Sequence, residues 1–316
     1  MAFRRHLRLW APVTTGILYL LIHVFIPNKE SVDSNDVFSL FLSMIVGLFL
    51  VLILISYSLA RLHEQMIFRG PFIAGVISLV MIYEIITLKL ALLPLPYFPS
   101  PPKILEAYVS DWSMLLSCLA SSFKLLIIGF IIGIMLGFIN GIVMGLFKKI
   151  DYWINPAFRF IGPIPAAALV PMSLIIAPSS FAAATFLIVF SVWYPVTVMT
   201  WSGVSSIDKS YFDVARTLGG GRWYQLRHIV LPAIMPSVFF GMYMGFCYSF
   251  ATLVIAEMMG SSSGLGYYIN WSMGWGSYYK LFAALIVVAI LCSGLIWSLF
   301  KVRDYVLRWE KEKPIC

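Results

Sequence analysis

Apolar residues run through this chain in long blocks separated by short polar breaks, and the block lengths decide the first reading. A helix that crosses a bilayer needs about 20 mostly apolar residues. Stretches of that order occupy 11–27, 38–60, 71–93, 114–147, 161–178, 181–203, 232–256 and 278–300. The pattern predicts an all-α polytopic transmembrane helical bundle with about eight spans. The 114–147 block is too long for one simple crossing, so its start is expected to lie flat at the outer surface. Ile104, Leu105, Tyr108, Trp112 and Leu115 recur at helical spacing, which predicts an amphipathic surface helix from Lys103 to Cys118.

The breaks divide the chain. Leu93 to Pro102 carries successive prolines, which block helix and favour extended backbone, and this is the clearest internal boundary. Residues 1–93 form three spans, 94–120 an external proline-rich linker with the surface helix, 121–305 a core interrupted by a polar segment at 205–231, and 306–316 a tail. An acidic connector, Glu30 to Asp36, separates the first two spans. The first span has a basic start like a signal peptide, lacks a small-residue cleavage site and ends at Pro27-Asn28, so it is read as retained. Gly129, Gly133, Gly137, Gly141 and Gly145 fall at every fourth position, a small-residue stripe that lets other helices approach closely. Each step of four drifts by about 40°, so the stripe is expected to wind around its helix, and several neighbours are expected to pack against this span. Close packing inside the subunit is favoured over a dimer contact. Pro163, Pro165, Pro171 and Pro178 make the fifth span either a broken helix beside a translocation route or a kinked structural helix.

Composition agrees with the blocks. The 316 residues are 61% hydrophobic and only 11% charged, against about 25% charged in ordinary soluble domains. The net charge of +8 reads as topology rather than as a nucleic-acid signal. With Arg4, Arg5 and Arg8 before the first span, the positive-inside rule places the N-terminus in the cytoplasm. Alternating spans then make 1–10, 61–70, 148–160, 204–231 and 301–316 the inner segments. Of the 22 Lys and Arg residues, all but Lys29, Lys89, Lys103, Lys124 and Lys280 fall there, which puts both termini inside.

Candidate chemistry is sparse. Cys118, Cys247, Cys292 and Cys316 have no paired spacing and no neighbouring His cluster, so no disulfide framework or metal site is indicated. His23 stands alone in the first span, and His6, His63 and His228 lie in loops, which argues against an intramembrane enzyme. GxGxxG and GxxxxGK[ST] are both absent, so no cofactor is expected on this chain. Glu84, Lys89, Lys124 and Glu257 lie in or near spans, where charge costs at least about 2.5–3.5 kcal/mol at the bilayer centre. Glu84 and Lys89 are poorly placed to pair directly and are read as structural, with Lys89 snorkelling outward. Lys124 sits near the outer end of its span, where a cation could attract an anion. Glu257 and Met258 precede the irregular stretch from Gly260 to Tyr267, where a carboxylate can accept backbone N–H bonds, in a gate-shaping role or in simple loop satisfaction.

The polar break at 206–232 is the most informative segment. Ile207, Tyr211, Val214, Ala215 and Leu218 recur at roughly helical intervals and Gly219-Gly220-Gly221 follows, which predicts a short helix with a glycine stop. A second basic turn runs from Arg222 to His228, and Leu231-Pro232 opens the next span. One small-residue face suits docking into a groove of another protein; the alternative is a self-packed loop. Asp213-Val214-Ala215, Gly219, Ile229 and Leu231-Pro232 match the E-A-A, three residues, G, nine residues, I-x-L-P pattern. The chain therefore resembles the membrane subunits of bacterial binding-protein-dependent ABC importers. Pro163-Ile164-Pro165 with Pro171, Val254 to Met258, Ser263 to Tyr267, and Phe98 to Pro101 narrow this to the nitrate/sulfonate/taurine-type permeases, over roughly 71–305.

The resemblance implies a type I importer fold and a permease subunit for a small, anionic or polar solute. It also implies two ATPase subunits carrying ATP and Mg, a second permease copy, an external substrate-binding protein, and a bacterial inner-membrane location in contact with lipid. Asp208, Tyr211, Asp213, Val214, Ala215, Arg216, Leu218, Gly219 and Arg222 would form the coupling segment. Pro163, Pro165, Pro171, Glu257 and Met258 would line the path or gate. Three departures stand out. Asp213 and Val214 replace the usual glutamate and first alanine. Gly162 stands where family members often carry arginine, so a cation for an anionic cargo is missing. Two N-terminal spans are additional to the family core. The alternative, a secondary transporter, would carry its own ion-coupling carboxylates and need no docking helix.

Overall fold

The computed structural model describes residues 2–29, 35–162 and 164–310, so Pro163, most of the acidic connector and the last tail residues lie outside it. No strand occurs among the described residues. Seven helices there are long and apolar enough to cross a membrane. The bent pair Lys148–Ile161 with Ala166–Ile176 makes an eighth if it counts as one span. The chain divides into two compact units, Met1–Trp112 with Ser272–Ala283, and Ser113–Trp271 with Ala284–Cys316.

In the first unit, α1 (Ala2–Phe25) packs with α2 (Asn35–Ser56) and α3 (Ala60–Glu84), which runs on through a π turn to Lys89. Leu9, Val13, Val46, Ile53 and Met66 form one apolar cluster, and Tyr19, Phe38 and Leu42 another. Between these helices lies a set of polar side chains that the apolar pattern gave no reason to place together. Glu84, 1% exposed, accepts from the Tyr19 hydroxyl at 2.6 Å and meets His23 Nδ1 at 2.6 Å. His23 is therefore paired with a carboxylate from another helix, α3. Lys89 does not snorkel either: it is buried and donates to the carbonyls of His23 and Ile26 and to Asn28 Oδ1, at 2.6–2.7 Å. Those carbonyls end α1, where no further helical N–H can reach them. A cation at a helix C-terminus is the favourable arrangement.

The surface helix is shorter than its spacing implied. It is α4 (Pro101–Ser110), and Trp112 already begins α5 (Trp112–Leu146), an unbroken 35-residue helix rather than a span with a flat start. At about 1.5 Å per residue such a helix exceeds the hydrocarbon thickness, so tilt or overhang absorbs the excess.

The second unit is organised by α5, α8 (Ser180–Ser205) and α11 (Leu231–Gly260). A methyl placed on Gly129, Gly133, Gly137, Gly141 or Gly145 would come within 2.5–2.8 Å of Ile188, Val192, Val196, Thr200 or Val204 respectively. The stripe itself meets α8, while other positions of α5 pack on α11, Phe130 edge-on against Phe246, so the span has several neighbours. The facing row also repeats every four residues, so the two rows drift together and stay in register. The buried core of this unit includes Leu125, Leu126, Phe130, Leu187, Ile188, Val192, Val196, Phe246 and Leu253.

The expected fifth span at 161–178 is not one helix. Amphipathic α6 (Lys148–Ile161) ends at a break, and a 3-10 turn (Ala166–Leu169) leads into α7 (Val170–Ile176), with the two arms bent by 83°. Pro165 is extended at ψ 128° immediately before the turn, and Pro171 sits in the first turn of α7, where its missing N–H is no loss.

Candidate functional site

The polar break forms α9 (Lys209–Thr217), between α8 and α10 (Arg222–Gln225). Its start is fixed by Asp208, whose Oδ1 accepts from the Ser210 backbone N–H at 2.9 Å, a side-chain cap. That hydrogen bond to the ionised form holds the Asp208 carboxyl below the usual carboxylate range. Its end is a Schellman closure: Gly220 N donates to Ala215 O at 2.7 Å and Gly219 N to Arg216 O at 3.0 Å. Gly219 has φ +80° with open space where a Cβ would stand, so it is required for its backbone and not for clearance.

The small-residue face is split. Ala215 is buried, while Ile207 and Phe212 pack against Val204, Val230 and Ile234. Tyr211, Val214 and Leu218, at i, i+3 and i+7, point the other way and are 64%, 58% and 82% exposed. Asp213 and Arg216 are exposed and pair at 3.3 Å, and Arg222 is exposed at the start of α10. The basic turn is not separate from the next span. It continues through a π turn, Leu226–Val230, directly into α11.

Among the described gate candidates, Glu257 and Pro165 line different cavities. Glu257, on α11, is 1% exposed; it accepts from Ser122 Oγ at 2.7 and 2.9 Å and from Gly266 N at 2.8 Å. Ser122 in turn accepts from Leu265 N at 2.8 Å, so α5, α11 and the start of α12 (Leu265–Gly274) are tied through one carboxylate and one hydroxyl. Gly264, at φ +117°, lies where a Cβ would run into the Glu257 carboxylate. The expected acceptance of backbone N–H bonds is present; the partner Ser122 was missed, its only signal being the polar cluster Ser121, Ser122 and Lys124 near the start of an apolar run. Met258 is held through its carbonyl, which accepts from Asn270 at 3.0 Å. Glu257 also lines a cavity of about 230 Å³ with Lys124, Ser121, Ser180 and Ser261.

Pro165 lines a different cavity, of about 290 Å³, at the break before α7, with Ser191, Tyr194, Tyr248 and Thr252. Ser191 and Thr252 share a hydrogen bond of 2.9 Å. The space in which a side chain would leave Gly162 is filled by the Tyr194 hydroxyl. An arginine cannot replace this glycine without displacing that ring. Pro171 is not among the lining residues.

Replacing Glu257 with alanine would leave the Gly266 N–H and the Ser122 hydroxyl without an acceptor, at about 1–3 kcal/mol for each stranded group. Thermal melting is expected to fall clearly for Glu257→Ala and much less for Glu257→Gln, which keeps a carbonyl for Gly266. Equal melting of both variants and the parent would dissociate the carboxylate from loop stability.

Residues 116–307 match the family model described as "Binding-protein-dependent transport system inner membrane component". A putative aliphatic sulfonates transport permease of Bacillus subtilis is 30% identical over 164 residues, 52% of this chain and 59% of that protein. A bicarbonate transport system permease of Synechococcus elongatus is 29% identical over 185 residues, 58% of this chain and 62% of that one. The matched stretch thus spans about three-fifths of each relative. Among solved structures, the MetNI methionine ABC transporter, captured in inward facing conformations, aligns over 62% of this chain and 97% of the matched chain. Its TM-score is 0.51 at 16% identity, a likeness of fold.

Proposed function

Because the chain belongs to the binding-protein-dependent transport system inner membrane component family, we propose that it is the permease subunit of an ATP-driven importer whose ATPase acts on other chains. It is a multi-pass membrane protein with the type I importer fold. In this reading two ATPase subunits, carrying ATP and Mg, dock beneath two permease copies. A substrate-binding protein delivers a small anionic or polar solute from outside, in keeping with the sulfonate and bicarbonate named for the relatives.

The observation that carries the proposal is the exposed row Tyr211, Val214 and Leu218 on a capped helix between two spans. Apolar side chains of this size held rigidly in water have a use when a partner covers them. The charge pattern supports an inner position for α9 and for both termini. α8 separates the basic stretch at 148–159 from the one at 209–227, so both lie inside only if Lys148–Ile176 completes a crossing. That supports counting the bent pair as the eighth span. Nucleotide-driven closure of the ATPase pair would then move α9 and bias the spans between inward and outward states.

The test is Gly219→Leu. A left-handed backbone costs a branched residue about 1–2 kcal/mol, enough to unwind the closure and move Leu218. ATP-driven uptake by the assembled complex is expected to fall at least tenfold, with Gly219→Asn affected less. Normal uptake by the leucine variant would remove α9 from the coupling route.

A further inference from the structure

We propose that the cavity at the break before α7 is a cargo pocket that takes an uncharged, flat heterocycle bearing an N–H, and not an anion. The proposal rests on the importer reading above and narrows its solute to one of the two kinds allowed there. The cavity lies inside the second unit, between α8 and α11. Ser191 and Thr252 in its wall stand roughly 12–17 Å along their helices from the ends Ser180 and Gly260, at about 1.5 Å per residue. That is close to the middle of a hydrocarbon core of about 30 Å. The volume of about 290 Å³ sits near the lower limit of about 300 Å³ for small-molecule pockets, which suits one ring rather than an extended molecule.

No charged side chain is among the residues that line the cavity. An anion at this depth would lose its hydration with no cation to replace it, and a cation would find no carboxylate. Gly162, at its edge, leaves no room for a cationic side chain, because the Tyr194 hydroxyl fills the space. The walls suit a ring. Phe190, Tyr194 and Tyr248 supply aromatic surface, and Pro165 and Pro195 supply apolar contact. Tyr194 is held by Phe158, stacked on it at 5.9 Å and 16°, so its face is set before a ligand arrives. The hydroxyls then define what the ring must carry. Ser191 donates to the Leu187 carbonyl at 2.8 Å, Thr252 to the Tyr248 carbonyl at 3.0 Å, and the two oxygens lie 2.9 Å apart. Each hydroxyl has one proton and two lone pairs, so these bonds use the protons and leave oxygen lone pairs for an N–H of the ligand. The Tyr194 and Tyr248 hydroxyls have no hydrogen-bond partner among the described residues and can donate to a ring nitrogen or carbonyl. Tyr248 is 53% exposed, so the cavity has an opening through which a ring can enter. Uncharged donors and acceptors between aromatic surfaces are the complement of a neutral heterocycle.

The experiment records saturation-transfer NMR on the full chain in nanodiscs, with empty nanodiscs subtracted, for nicotinamide, cytosine, ethanesulfonate and choline. Nicotinamide or cytosine is expected to receive transfer at least threefold stronger than either charged probe. Tyr248→Phe should lower the ring signal at least twofold. Ser191→Ala with Thr252→Val removes both members of a hydrogen-bonded pair and strands neither, so it should melt close to the parent and lower the ring signal as much. Transfer to ethanesulfonate or choline equal to that of the rings overturns the proposal. So does the absence of ring transfer, or ring transfer indifferent to both sets of substitutions. ATP-driven uptake of ethanesulfonate by the assembled complex would also overturn it while leaving the importer reading intact, whereas solute uptake without ATP would remove the importer reading itself.

Discussion

Glu84→Ala is expected to destabilise the protein by about 3–5 kcal/mol, the range for deleting one partner of a buried charged pair. The carboxylate is the acceptor for both Tyr19 and His23, on a different helix. Its removal strands a hydroxyl and a ring nitrogen inside the apolar contact of α1 with α3. It also removes a carboxylate whose charge acts on Lys89, which still bonds the carbonyls at the end of α1. Glu84→Gln should cost less, since one carbonyl can still accept from Tyr19. Thermal unfolding in detergent measures this directly, and a melting temperature within a degree or two of the parent for the alanine variant would show that the polar set does not hold the first unit together.

The second large effect is expected at the exposed face of α9. Val214→Asp with Leu218→Asp places two charges on the row that a partner must cover, and central interface positions cost at least about 2 kcal/mol each, roughly 30-fold in affinity. Both side chains are more than half exposed, so the variant should fold and melt as the parent does. The expected result is a normal membrane protein that no longer retains its ATPase subunits and no longer imports. Full retention of the ATPase by this variant would contradict docking at Tyr211, Val214 and Leu218. Lys209→Gln is a poorer probe, because an exposed charge contributes little by itself.

Much of the fold was legible because bilayer crossing imposes a length and a composition that few other structures share. Most of the spans, the glycine stop of α9 and the loop held by Glu257 follow from local rules about apolar runs, caps and carboxylates, whereas the Asp208 cap and the 83° break in the fifth span were not read. What was not legible depended on partners distant in sequence. The apolar period along Lys103 to Cys118 continues smoothly across Asp111, so spacing alone could not show that α4 ends at Ser110 and α5 begins. The glycine stripe drifts as geometry demands, but its partner row drifts equally, which only the second helix can reveal. His23 and Glu84 are 61 positions apart, and periodicity carries no information on such a pairing. Within α9, Ala215 and Val214 are adjacent in the family pattern, yet one is buried and the other 58% exposed. The pattern marks the segment, while the packing against Val230 and Ile234 decides which half of it is free.

In the proposed function the energy for transport comes from another chain. Proteoliposomes containing this permease, a substrate-binding protein and an ATPase subunit that copurifies with it should accumulate solute only with ATP and only when the ATPase is present. Uptake by the permease alone, driven by an ion gradient and indifferent to ATP, would contradict the claim and restore the secondary-transporter alternative.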